Sequence, residues 1–239
     1  MKRFKMRDVC LAGLCLVALF AFGAVGSASA VPTLLFRPHS SKFPFHLAGI
    51  AGKAALETPK GITGVESNKV DVLALVLSPT LVDASFRFLE SKTGVGGVCN
   101  NEGNNEGNTI TLSLLGHLGF AHKGAEEVPG VLLLVPTGFD FTCFKVPIVG
   151  TILVLVRGSV IGQILTPKVN GEAASEMLLV FNKTEKGVQE LRTFLFNNTK
   201  VTADLEASLN EGGFELASQT GEGPLKALPG EGTFLLISP

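Results

Sequence analysis

The chain has 239 residues, with 20 Lys+Arg against 21 Asp+Glu, 46% hydrophobic and 17% charged residues, and 17 Phe but no Trp or Tyr. A composition this apolar folds, which excludes an intrinsically disordered chain. Beyond the first few residues there is no Lys/Arg cluster, so the electrostatic footprint of a nucleic-acid binder is also missing.

Residues 1–30 read as an export signal. Lys2, Arg3, Lys5 and Arg7 form a basic start, and an apolar run extends from Val9 to about Val25. Ala28 and Ala30 then supply the small side chains of an A-x-A cleavage site, so cleavage is predicted after Ala30 and the mature chain begins at Val31. A retained transmembrane anchor is the poorer account, because the run contains Gly13 and Gly23 and falls short of the ~20 residues a span needs. Removing the segment leaves 16 basic and 20 acidic residues, a net charge of −4. The mature chain suits one large domain that buries roughly 70% of its unfolded surface.

Cys10 and Cys15 leave with the signal, so Cys99 and Cys143 remain. Two cysteines in an exported chain most simply form one disulfide; two buried free thiols are the alternative.

Residues 31–42 carry two prolines and no periodic pattern, and read as a loosely ordered lead-in to a single β-rich domain over 43–239. Within that domain, short Val/Leu/Ile/Phe/Thr runs alternate with Gly, Pro, Asn and Asp, the signature of strands and turns. Strands are predicted over 69–77, 84–89, 110–115, 128–135, 139–144, 150–165, 176–181, 191–196, 214–218 and 233–237. The first of these has apolar residues on both faces and reads as covered on both sides. The apolar run from Val146 to Leu165 invites a transmembrane reading, but Arg157 sits in its middle and a charge at mid-bilayer is costly, so it reads as a pair of buried strands turning near Arg157-Gly158. One helix is predicted over 199–209, where Val201, Leu205 and Leu209 recur at four-residue spacing, and Val188 to Leu195 reads as either a strand or a short helix. About ten strands with hairpin-scale connectors predict an all-β fold of mainly antiparallel strands, a sandwich or barrel. At most one or two short helices accompany it, apart from the signal helix.

Signals for chemistry are weak. His117 and His122 are five residues apart, which in a strand sends the rings to opposite faces, and no zinc spacing exists. Gly158-Ser159-Val160-Ile161-Gly162 places its serine one position too early for a nucleophile elbow. Asp71, Asp83, Asp140 and Asp204 are potential acid partners, but a triad is a geometric object and the sequence supplies no geometry. The repeated Asn-Asn-Glu-Gly unit of residues 100–108 reads as a surface loop, with a cation site on Glu102 and Glu106 as the rival reading. Gly221-Glu222-Gly223 and Gly230-Glu231-Gly232 read as turns. No catalytic, cofactor-binding or metal-ligating residue is assigned.

The order of several motifs carries more than any one of them. Phe43-Pro44-Phe45-His46 is followed by Lys53 to Thr58, then Leu115-Gly116-His117-Leu118-Gly119-Phe120 and Phe141-Thr142-Cys143. Gly158 to Gly162, Pro167-Lys168-Val169-Asn170, Gln189 to Phe194, Asn210 to Phe214 and a C-terminal apolar strand complete the order. In this the chain resembles a family of small exported β-rich proteins from soil actinobacteria, whose members carry further cysteines in the region equivalent to 61–89. The resemblance implies an exported β-rich fold and supports the Cys99–Cys143 pairing; it brings no activity with it.

The function expected on these grounds is a non-enzymatic binding or structural module of the cell envelope or medium. It is expected to be secreted or envelope-associated, without cofactor, without nucleic acid and without a membrane span in the mature chain. Its expected partner is an envelope component or an apolar ligand. The alternatives are an extracellular hydrolase with a dispersed triad, and a carrier of a lipid or small apolar ligand held in a Phe-lined barrel.

Overall fold

Nineteen strands and no helix make up the described part of the computed structural model, which covers residues 33–40, 42–59, 64–101, 109–197, 199–210 and 212–239. The chain divides into two units, Met1–Val31 and Pro32–Pro239, and every described residue belongs to the second. The predicted cleavage residues Ala28, Ala30 and Val31 lie outside the described residues, as do Glu102 and Glu106.

The strands fall in chain order. The first seven are β1 (Leu35–Pro38), β2 (Phe45–Ala51), β3 (Ala54–Glu57), β4 (Val65–Ser67), β5 (Lys69–Val76), β6 (Leu81–Leu89) and β7 (Lys92–Thr93). Next come β8 (Val98–Asn100), β9 (Ile110–Lys123), β10 (Glu126–Leu134), β11 (Phe139–Val146), β12 (Gly150–Thr166) and β13 (Glu176–Phe181). The last six are β14 (Thr193–Phe196), β15 (Thr199–Thr202), β16 (Leu205–Leu209), β17 (Glu215–Leu216), β18 (Ser218–Ala227) and β19 (Phe234–Ile237).

Eight of them close a barrel in the order β2-β5-β6-β9-β10-β12-β13-β18, every neighbour antiparallel. The ring shuts where Lys226 and Ala227 of β18 meet Ala48 and Leu47 of β2. Alternate residues point inward, as strand geometry requires: Leu47 stands opposite Ala74, Ala74 opposite Ala84, and Ala84 opposite Leu114. One end is stoppered by the β1–β19 ribbon, whose Phe36 and Phe234 pack against Phe45 with ring centroids 5.7–6.2 Å apart. The expected loose lead-in is not found over residues 33–40: Leu34 and Phe36 are buried, and β1 is a paired strand.

β12 and β18 are too long for the barrel alone and leave it together. Residues 150–158 of β12 and 218–220 of β18, with β3, β4, β7, β8, β11, β16 and β17, build a second antiparallel sheet joined to the barrel. The change of sheet on β12 falls at Gly158, which pairs with Leu205 on one side while Ser159 already pairs with Leu134 of the barrel. Only glycine serves here, because φ is +96° and a Cβ would lie 1.9 Å from the Asp204 carbonyl oxygen. The predicted pair of strands turning at Arg157-Gly158 is thus one bent strand. The core is continuous across both sheets, from Phe36 at the stopper to Cys99, Cys143 and Ile152 in the second sheet.

Three further expectations are corrected. The 199–209 segment is two strands, β15 and β16: the four-residue spacing of Val201, Leu205 and Leu209 is incidental, and the Thr-rich start favours extended backbone. Gly221-Glu222-Gly223 lies within β18 and is no turn. β5 is covered on one face only, since Leu73 is 48% exposed. Among the described residues no helix is long and apolar enough to cross a membrane.

Candidate functional site

The barrel interior holds only a small apolar void of about 20 Å³ near the stopper, beside Phe36 and Leu47, and opens toward its junction with the second sheet. There the inward side chains of β5, β6, β9, β12, β13 and β18 meet those of β3, β4 and β11, and they leave an apolar cavity of about 100 Å³. Five phenylalanines line it: Phe86, Phe88, Phe139, Phe141 and Phe181. Phe86 and Phe88 stack with centroids 6.2 Å apart and planes 18° apart. Aliphatic side chains complete the wall, among them Val72, Leu114, Val156, Val160, Leu179 and Leu225.

The site sits here because the sheets do not interdigitate where they join. Each of the two shared strands has side chains committed to the barrel on one side of the junction and to the second sheet on the other. Between them β18 runs through Gly221, Gly223 and Pro224, which offer little side chain to fill the space.

Polar groups are few and sit on one side: Ser67, Gln219, Thr220 and Glu222. Ser67 Oγ is hydrogen-bonded to Ser91 Oγ at 2.8 Å, and Ser91 donates to the Phe88 carbonyl. The Gln219 side-chain amide donates to the carbonyl of Thr220 at 2.9 Å, and its backbone N–H donates to the side chain of buried Gln189. Glu222, on the exposed side, is the one charged residue of the lining. Such a chamber selects for apolar shape and offers a handful of dipoles at one edge.

None of the residues raised as candidate chemistry lines this cavity. His117 pairs with Leu132 across β9–β10 and Ser159 with Leu134 across β10–β12, so a whole strand lies between them. His117 is instead roofed on the outer face by Phe196, 4.5 Å between ring centroids, where the β14–β15 hairpin covers the barrel. Gly119 permits that cover, since a Cβ there would lie 2.3 Å from the Leu195 carbonyl oxygen. His122 pairs with Glu127 at the far end of β9, and Asp140 with Leu155 in the second sheet. Asp204 is held by Arg192 and Asp71 by Lys69. Among the described residues no cluster of three His, Cys, Asp or Glu side chains is placed to hold a metal ion.

Cys99 and Cys143 face each other directly across β8–β11 at disulfide distance, fully buried. Asn101, at the start of the Asn/Glu/Gly stretch, pins its ends: its amide donates to the Thr111 carbonyl at 2.6 Å, and the Thr111 N–H donates back to Asn101 Oδ1 at 3.0 Å. Sequence reasoning did not locate the cavity. Its only trace was the surplus of Phe, because the lining comes from strands scattered over residues 51–225.

No family model, no curated protein and no solved structure matches the chain.

Proposed function

We propose that this protein is an exported, non-enzymatic binding module of the cell envelope or medium, and that its ligand is a small apolar molecule taken up in the junction cavity. The single observation that carries the reading is the chamber itself: about 100 Å³, walled by five Phe and by aliphatic side chains, with its polar groups at one edge. An apolar cavity of about 150 Å³ stays dry and takes up benzene or xenon, so one ring or a short alkyl segment is the matching size class. A buried pair of cysteines at disulfide distance is compatible with an oxidising compartment, which supports export. The resemblance to exported actinobacterial proteins supports the same setting.

The test is thermal unfolding with benzene, toluene and 1-hexanol, together with mass spectrometry of small molecules released after native purification. A ligand at 100 times its Kd stabilises the folded state by about 2.7 kcal/mol. Wild type is expected to show a saturable rise in Tm. Val156→Phe, which places a ring in the cavity, is expected to lose that rise, with Val156→Leu as the milder filling variant. No rise with any of the three compounds and no co-purifying apolar molecule refute the proposal.

A further inference from the structure

In the second sheet, two hairpin tips lie side by side. The β7–β8 tip carries Val95, and the β11–β12 tip carries Pro147, Ile148 and Val149. The two are neighbours because Val98 pairs with Phe144, and because Val146 Cγ2 lies 2.5 Å from the position a Cβ on Gly97 would take.

The second tip breaks two local rules at once. Ile148 has φ +73°, a left-handed conformation that a β-branched residue rarely adopts. Proline followed by a positive-φ residue is the pattern of a type II turn, whose next position takes Gly or Asn. Ile148 is also wholly outside the protein, at 108% exposure, with Val149 at 56% and Val95 at 50%. A glycine at 148 satisfies the backbone and removes the exposed side chain, so neither folding nor solubility accounts for isoleucine there. Backbone strain held at an exposed apolar tip points to something outside the chain.

We propose that these two tips form a membrane-docking surface, with Val95, Ile148 and Val149 entering the headgroup–acyl boundary of an anionic bilayer. Shape favours lipid over protein. Three side chains on convex tips fall far short of the 20–30 residues a stable protein interface contributes per side, whereas a bilayer asks for no shape complementarity. Charge agrees. Across both tips, residues 93–97 and 145–151, the one charged residue is Lys145; no carboxylate opposes an anionic headgroup. A backbone bulge between Cys143 and Val146 sets this exposed lysine just behind the apolar tip. The inference stands apart from the cavity reading.

The test uses the mature chain expected from cleavage after Ala30, residues 31–239, which contains all nineteen strands and their pairings. Co-sedimentation is measured with vesicles of phosphatidylglycerol and phosphatidylcholine (equal parts) and with phosphatidylcholine alone. Wild type is expected to bind the mixed vesicles more tightly. Ile148→Gly is expected to weaken binding at least tenfold while leaving Tm unchanged or higher, a combination that a structural role for Ile148 does not give. Lys145→Glu is expected to remove the preference for phosphatidylglycerol. Failure of wild type to bind either vesicle overturns the proposal, and so does unchanged binding by Ile148→Gly. Self-association in light scattering that Ile148→Gly abolishes, without vesicle binding, overturns it in favour of a second copy of the chain.

Discussion

Gln189 illustrates what a single buried polar side chain does in this fold. It is 2% exposed, donates to the Asn182 carbonyl at 2.9 Å and accepts the Gln219 N–H at 3.1 Å, so it ties the end of β13 to the start of β18 beside the cavity. Gln189→Ala leaves the half-buried Gln219 N–H without this acceptor, while the exposed Asn182 carbonyl keeps the Glu190 N–H at 3.0 Å. The expected loss of stability is about 1–3 kcal/mol, read from urea unfolding. Gly158→Ala is expected to cost at least about 1–3 kcal/mol in the same assay, because the added Cβ meets the Asp204 carbonyl in a backbone region that alanine avoids. Arg157, next to it, was the residue that argued against a membrane helix in the sequence, and it lies on strand β12. It is exposed, paired with Glu206 at 2.6 Å and stacked 3.7 Å over the Phe214 ring. What the sequence did not reveal at this scale is that Gly158 switches sheets. A glycine after an arginine reads equally well as a turn, and only the partner strand decides.

Among the elements, most of the long strands were legible, but β2 and β18, of seven and ten residues, were not, and β18 carries Gly221, Gly223 and Pro224, which read as turn residues. β13 matches its predicted bounds, and β9, β10, β11 and β12 differ from theirs mostly by extension, because alternation over six or more residues is a strong signal. β3, β4, β7 and β8 have two to four residues each, too few for any period to register, and all belong to the second sheet. That sheet is half of the candidate site, so the cavity stayed hidden with it. The link between β8 and β11 is the cysteine pair, with 44 residues of separation. On the chain-entropy model a bridge closing such a loop contributes up to about 4 kcal/mol. Cys99→Ser/Cys143→Ser is therefore expected to lower stability by a few kcal/mol in urea unfolding. Thiol titration of denatured, unreduced wild type is expected to find no free cysteine. Two titratable thiols overturn the bridge and return the pair to buried free thiols.

For the whole molecule, the question is whether barrel and second sheet unfold together. β12 and β18 run through both, and a rupture of either pairing set leaves part of each strand without partners. The buried apolar cluster is also continuous across the junction, with Val156, Val160 and Leu225 of the shared strands lining the same cavity that β3, β4 and β11 close. An intermediate with one sheet melted exposes this wall to water, at roughly 25 cal/mol for each Å² of apolar surface. One cooperative transition is expected, although the chain is larger than the domains that usually unfold in two states. Far-UV circular dichroism reports all strands; near-UV ellipticity reports the disulfide and the packed Phe rings, since Trp and Tyr are absent. The two signals are expected to fall along the same urea curve, and Cys99→Ser/Cys143→Ser is expected to move both midpoints by the same amount although the pair lies only in the second sheet. Divergence of the two curves identifies the barrel and the second sheet as separate cooperative units, and moves the cavity from a shared core to an interface that opens before the barrel does.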